Sequence, residues 1–428
     1  MRFTSQHPAD QLVAIMTRIY RCGMTTVSGG NLSILDTEGD IWITPSGIDK
    51  GALTRDDIMQ VKPDGTVIGR HRPSIELPFH REIYRRRSDI RAIVHAHPPT
   101  LIAYSLARVN PNVRLIPEDY ARCGSVSMAK YAVPGSELLG GYIADEFSKG
   151  YSTVMLENHG VVLGGKDLLT TFCQFETIDF CGRMGMLAAR LGKARELCEV
   201  EIARYTQTCE METLPAHEMT SEERAARRDL AHMTHRCYQQ KLFTSTQGVW
   251  SLKLSDGGFL ITPDDIDRME LTEADLIYIR DGKCEAGKQP PHNAYVHAAI
   301  YQRHAGISSV IEAHPPAISA FTVTDASFDS RTIPESYLVL RDVRRLPFST
   351  GLDNAEEIAE VFNQKTSVAL IENRGCIVTG AGLANAFDKL EVLEYSAQAI
   401  IAAKDVGPIV LIQPEEISKI EEAFHMND

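Results

Sequence analysis

Pro73-Ser74-Ile75-Glu76, then His80…Ile83-Tyr84…Arg86…Ile90, then His95-Ala96-His97-Pro98-Pro99: the chain writes this passage twice. Shifted by 217 residues it reads Pro290-Pro291-His292-Asn293, His297…Ile300-Tyr301…Arg303…Ile307 and Glu312-Ala313-His314-Pro315-Pro316. Further on, Glu157-Asn158-His159-Gly160 returns as Glu372-Asn373-Arg374-Gly375. The apolar frame and the prolines persist, whereas two of three histidines and one carboxylate are lost. A repeat roughly 200 residues long is a duplicated domain, not a solenoid unit. The expected division is 1–212 and 213–428, with the polar chemistry confined to the first copy.

Composition sets the bounds. The 428 residues are 43% hydrophobic and 24% charged, as in ordinary globular proteins. No apolar run approaches the ~20 residues of a membrane span, and no signal-peptide core opens the chain. A cytoplasmic protein with no membrane partner is expected. The net charge of −13 argues against nucleic acid as a partner. Arg85-Arg86-Arg87 reads as a solvated helix end, where cations suit the dipole. The nine cysteines include no Cys-x-x-Cys pair and read as free thiols in a reducing compartment.

Apolar periodicity predicts an opening helix in each copy, over 11–20 and 222–242, with Thr220 and Glu223 forming a capping box in the second. Hairpin strands follow, over 31–34 and 40–45, and over 250–254 and 259–263. A helix over 77–87, a strand over 92–97, a helix from about 100, strands over 153–156 and 161–163, and a long helix over 168–191 complete the first copy. The long helix returns over 384–403, and charged residues 193–218 connect the copies. Helices between strands, together with hairpins, predict an α/β domain with a mixed, mainly antiparallel sheet layered with helices.

His95 and His97 stand two apart on a strand, so their rings share one face. Alone they are as readily a satisfied pair as metal ligands. His159, in a tight turn after another strand, changes that balance. Three histidines leave coordination positions open, as in catalytic zinc sites. Glu76 precedes a helix. It is either a carboxylate favoured by the helix dipole or a general acid/base beside a metal. Glu157 recurs as Glu372, which favours a structural role. Ser28-Gly29-Gly30-Asn31 and Thr44-Pro45-Ser46-Gly47 are simple turns or an anion cradle. Their counterparts are Thr246-Gln247-Gly248-Val249 and Thr262-Pro263-Asp264-Asp265, and the paired acids there would repel phosphate.

Taken together, these turns, Ile43-Thr44-Pro45-Ser46-Gly47, Ser74-Ile75-Glu76, His95-Ala96-His97-Pro98 and Glu157-Asn158-His159-Gly160, in that order, resemble the class II aldolase/adducin family. The resemblance covers most of 10–190 and, more weakly, 229–404. It implies a layered α/β/α domain present twice, and a zinc-dependent sugar-phosphate aldolase of the fuculose-phosphate type. It implies His95, His97 and His159 as metal ligands and Glu76 as acid/base. It implies a phosphate pocket lined by Gly30, Asn31, Ser46, Gly47 and Ser74, and Tyr120 as the family's catalytic tyrosine. Ile75 departs from the pattern, because the fuculose-phosphate enzymes carry a second serine there.

The metal would stabilise an enediolate formed as the C–C bond breaks. The same site also serves epimerases, dehydratases and decarboxylases in the family, and adducin-like members are non-catalytic interaction proteins. The resemblance further implies a ring of four domains built from a homodimer, in which Tyr337 of the second copy would complete the first copy's site. In that second copy Arg374 puts a fixed cation at the third ligand position, and Asn293 cannot transfer a proton. It reads as a non-catalytic relative.

Overall fold

The computed structural model describes residues 3–205, 209–215, 217–264 and 266–426. Asp265, one of the two acids expected to repel phosphate, lies outside them. The chain packs as two units, one of Met1–Val113 with Asp119–Arg183, the other of Arg114–Glu118 with Met184–Asp428.

The first unit opens with α1 (Pro8–Arg21), where Pro8 occupies the first helical position and His7 accepts the Ala9 N–H. Leu12, Ile15, Met16 and Ile19 form its buried stripe. The elements that follow are β1 (Asn31–Leu35), β2 (Ile41–Ile43), β3 (Met59–Val61), β4 (Val67–Ile68), α2 (Leu77–Arg86), β5 (Ala92–Ala96) and α3 (Pro99–Ala107). After them come α4 (Pro117–Cys123), β6 (Val126–Ala129), α5 (Glu137–Ser148), β7 (Thr153–Leu156), β8 (Gly160–Gly165) and α6 (Leu168–Leu191). The eight strands form one sheet in the order β4-β3-β2-β1-β5-β8-β7-β6. Every neighbouring pair is antiparallel except β6 and β7.

β5 is central and buried along its whole length, which suits the apolar run Ala92-Ile93-Val94 ahead of His95. Pro98 and Pro99 end it and start α3. Ile83, Phe79 and Leu77 of α2 and Leu139, Ile143 and Phe147 of α5 pack with Ile93, Val154 and Val162 of the sheet. Phe79 of that layer meets the His95 ring edge-on, with centroids 5.6 Å apart.

The second unit adds α7 (Glu199–Tyr205), β9 (Glu212–Thr213), α8 (Ser221–Gln239), β10 (Val249–Lys253), β11 (Phe259–Ile261), β12 (Ile277–Arg280), β13 (Lys283–Cys284), α9 (Ala294–Arg303) and β14 (Ser309–Ala313). It ends with α10 (Pro316–Thr322), α11 (Pro334–Leu340), β15 (Val343–Leu346), α12 (Glu356–Ala359), β16 (Val368–Ile371), β17 (Gly375–Gly380), α13 (Leu383–Val406) and α14 (Pro414–Ala423). Its sheet runs β15-β16-β17-β14-β10-β11-β12-β13-β9. The order β14-β10-β11 beside β17-β16 repeats β5-β1-β2 beside β8-β7. The layered α/β fold with a mixed, mainly antiparallel sheet is therefore present twice.

The charged connection is more structured than its composition suggested, since it contains α7 and β9. None of the nine cysteines forms a disulfide. No helix among the described residues is long and apolar enough to cross a membrane.

Candidate metal centre

Sheet register assembles the histidines. β5 pairs antiparallel with β8, setting His95 opposite Val162 and Ala96 opposite Val161. The C-terminal end of β5 therefore lies beside the N-terminal end of β8. The turn that delivers β8 holds His159. Asn158 adopts the left-handed conformation there, with φ of 54°, which asparagine tolerates better than most residues. The His159 N–H closes the turn on the Leu156 carbonyl at 3.1 Å.

One nitrogen from each of His95, His97 and His159 then falls within 4.8 Å of the others. The Nε2 atoms of His95 and His97 are 3.0 Å apart. Close backbone approach is required on both sides. A Cβ on Gly160 would lie 2.7 Å from the Ala96 carbonyl, and one on Gly30, whose φ is +70°, would lie 2.7 Å from the His95 carbonyl.

Glu76 closes the group. Its Oε2 lies 3.1 Å from His95 Nε2 and its Oε1 lies 3.6 Å from His159 Nε2. Although Glu76 stands at the N-terminus of α2, its carboxylate makes no capping bond to that helix. Asn31 holds it instead. The Asn31 amide donates to Glu76 Oε2 at 2.7 Å and accepts from His80 Nε2 at 2.5 Å. His80 Nδ1 meets the Ser33 hydroxyl at 2.6 Å, and Ser33 meets the Tyr84 hydroxyl at 2.7 Å. Burial pushes the His80 ring down to about 3, which keeps it neutral, a donor on one nitrogen and an acceptor on the other.

These residues fit a divalent ion on three counts. His95 Nδ1 faces the Val161 carbonyl at 2.9 Å, so it must donate, leaving Nε2 as the ligating nitrogen. Burial, and then the charge on His95, push His97 down to about 3 and His159 down to about 4. Neutral imidazole is the ligating form, which His97 and His159 already hold; burial opposes the charged form of His95, but the Glu76 carboxylate raises its pKa, and an ion would take the place of that proton. Finally, Glu76 Oε1 is buried without a hydrogen-bond partner. Burial opposes ionisation of Glu76, but the neighbouring His95 and His159 hold its carboxyl well below the usual range.

The other expected site residues are placed as follows. Gly30 and Asn31 adjoin β5 through the β1–β5 pairing, in which Asn31 faces His95. Ser74 is buried, and its hydroxyl accepts the Glu76 N–H at 3.2 Å. Its own N–H donates to the Thr44 carbonyl, and Pro45 bridges Pro73, so the loop of Ser46 and Gly47 abuts the loop of Ser74 and Glu76. Ile75 is exposed. Tyr120 is half-buried on α4. Glu157 accepts the Tyr131 N–H at 3.1 Å, a structural bond of the kind its repetition suggested.

The second unit keeps the outer part of this arrangement and loses the inner part. Ser251 still meets His297 Nδ1 at 2.7 Å and the Tyr301 hydroxyl at 2.6 Å. Val249 replaces Asn31, however, and His297 Nε2 is left without a partner. Asn293 donates to Glu312 at 2.9 Å. Arg374 donates to the carbonyls of Phe348 and Thr350, with its guanidinium 4.9 Å from the centre of the Tyr205 ring.

The Tyr205 hydroxyl lies 2.8 Å from Glu118, 3.2 Å from Glu312 and 2.9 Å from His292 Nε2. This buried phenol therefore fills the space beside Glu312. Among the described residues, His95, His97 and His159 are the one group of three or more His, Cys, Asp or Glu drawn together this closely.

Fold and site together define a class of protein. The chain belongs to the Class II Aldolase and Adducin N-terminal domain family, whose model matches residues 10–186 and again 228–401. It is 35% identical over 180 residues to the L-fuculose phosphate aldolase of Methanocaldococcus jannaschii, covering 41% of this chain and 94% of that protein. It is 30% identical over 219 residues to the 5-deoxy-D-ribulose 1-phosphate aldolase of Bacillus thuringiensis serovar kurstaki, covering 48% of this chain and 96% of that protein. The 3-oxo-tetronate 4-phosphate decarboxylase of Pectobacterium atrosepticum is 32% identical over 180 residues, covering 41% of this chain and 82% of that protein.

Proposed function

We propose that the first copy, residues 1–212, is a divalent-metal-dependent aldolase that cleaves or forms a C–C bond in a sugar phosphate, and that the second, residues 213–428, is non-catalytic. The observation that carries this reading is the convergence of His95, His97 and His159 beside the buried Glu76 carboxylate, whose Oε1 has no hydrogen-bond partner. His95, His97 and His159 would hold the ion, zinc by its preference for imidazole and for open three-histidine sites. When bound, the ion would supply Lewis-acid stabilisation of the negative charge that develops on the substrate oxygens.

Glu76 moves the proton. Asn31 fixes its Oε2, so Oε1 is the oxygen that delivers a proton to the carbon released by cleavage, or removes it in the direction of synthesis. Gly30, Ser46, Gly47 and Ser74 line the phosphate pocket, with Asn31 serving it from the Glu76 side. Tyr120, and Tyr337 from the second copy of a homodimeric pseudo-tetramer, are the tyrosines that would reach the reacting atoms. Tyr337 donates its hydroxyl to Glu421 at 2.6 Å, so such a role requires that bond to be exchanged. The free thiols suit a reducing compartment, the cytoplasm.

Product analysis on a panel of ketose phosphates tests the reaction. Dihydroxyacetone phosphate or another short fragment is expected; an unchanged carbon skeleton would reject cleavage in favour of epimerisation or dehydration. The identity to a decarboxylase supports a second reading with the same metal site. Release of carbon dioxide from a 3-oxo acid phosphate would establish that one instead.

The metal content is a separate expectation. Elemental analysis should find about one zinc per chain. The second unit places Glu312, Asn293 and Arg374 where the first has His95, Glu76 and His159. Two ions per chain would overturn the assignment of that unit as non-catalytic.

A further inference from the structure

Lys50 is 1% exposed, an unusual position for an ammonium group. It follows the Pro45-Ser46-Gly47 turn, and it reaches two turns at once. Its backbone N–H donates to the Val27 carbonyl at 2.9 Å, at the base of Ser28-Gly29-Gly30. Its Nζ donates to the Pro45 carbonyl, at the base of Ser46-Gly47. Among the described residues no carboxylate pairs with it. A buried charge with a single neutral acceptor is costly, and its retention calls for a compensating anion.

The second unit supplies an internal control. Arg268 stands in the same place. Its N–H donates to the Ser245 carbonyl at 2.7 Å, and its guanidinium donates to the Pro263 carbonyl at 2.8 Å. It also donates to the carbonyls of Gly248 and Ile266. The cation that joins the two turns therefore recurs in both copies. In the second, the guanidinium donates to the carbonyls of Pro263, Ile266 and Gly248, and the adjoining turn carries Asp264. In the first, the same two turns are joined by a cation and carry no acid.

We propose that Lys50 is a positioning residue for the anionic group of the substrate: it ties the two glycine turns together and supplies the buried positive charge that an entering phosphate meets. The proposal rests on the reading of those turns as the phosphate pocket. Burial pushes the Lys50 ammonium down to about 8, so it remains largely protonated at neutral pH. Opposite charges at short range in a site of reduced dielectric attract far more strongly than in water.

Calorimetric titration of the full chain with inorganic phosphate tests this. Lys50→Met is expected to weaken phosphate binding at least about tenfold while zinc content per chain is unchanged. Lys50→Arg, which keeps a cation joining the two turns with no acid in them, should bind within about threefold of wild type. A folded Lys50→Met protein with wild-type phosphate affinity would overturn the role of Lys50 and leave the phosphate pocket standing. A folded Lys50→Arg protein that has lost phosphate binding would overturn it equally, and that variant decides the matter if Lys50→Met does not fold. Wild-type protein that binds no phosphate would overturn the pocket and the role of Lys50 together.

Discussion

His95→Ala is expected to abolish divalent-ion binding and lyase activity together. His95 is fully buried, and its Nδ1–H is committed to the Val161 carbonyl, so its Nε2 is the most rigidly aimed of the three nitrogens. It also touches every other member of the site: Glu76 at 3.1 Å, His97 at 3.0 Å, and the His159 ring with centroids 4.9 Å apart. Two histidines and a displaced carboxylate hold an ion far more weakly than three convergent imidazoles. Zinc content should fall from about one per chain to below about a tenth, and kcat/KM at least about a thousandfold, because a metal-dependent lyase loses its electrophile outright. The truncated ring leaves a gap beside Phe79, costing about 1–3 kcal/mol, so folding should be checked in parallel by thermal melting. A folded variant that keeps its activity would remove His95 from the ligand set.

Glu76→Gln should separate proton transfer from metal binding. The amide is nearly isosteric, and its oxygen can still accept the Asn31 amide hydrogen. It cannot exchange a proton with the substrate carbon. A loss of about 10²–10⁴ in kcat is expected with zinc content unchanged, the range typical of removing a general acid or base. Steady-state kinetics and elemental analysis on one preparation check both halves. Turnover within a few-fold of wild type would make Glu76 a support for the ligands rather than the acid/base. The second unit carries a related amide, Asn293, at this position and donates it to Glu312.

The frame of this protein was legible because it is written twice. Apolar residues and prolines must recur wherever the same layers pack, so α6 and β7 fall on the residues that the periodicity predicts. The histidines were legible because His95 and His97 share a strand and His159 ends a turn. The support for Glu76 was not. Asn31 and His80 lie 45 and 4 residues from Glu76 along the chain, and no local pattern links an asparagine on one strand to a carboxylate before a distant helix. One clue was present: His80 recurs as His297, a polar residue kept in both copies.

The capping box expected at Thr220 forms only in part. The Thr220 hydroxyl accepts the Glu223 N–H at 3.0 Å, but the Glu223 carboxylate turns to the buried Arg227 at 2.7 Å. A buried guanidinium competes more strongly for a carboxylate than a helix-end N–H does. The helix Glu199–Tyr205 has no clear periodic signature for a related reason, because its short charged sequence gains order from packing of Ile202 and Tyr205.

On the proposed ligand set, the turn that carries His159 would also determine when an ion can be bound. His95 and His97 leave the ribosome as a two-ligand pair, and the third imidazole follows about 60 residues later. It reaches them only when β8 has zipped against β5. The nascent segment would thus offer only two of the three proposed ligands until the centre of the sheet is complete. Metal binding would then report on folding: a chain that holds the ion at all three imidazoles has already paired β5 with β8.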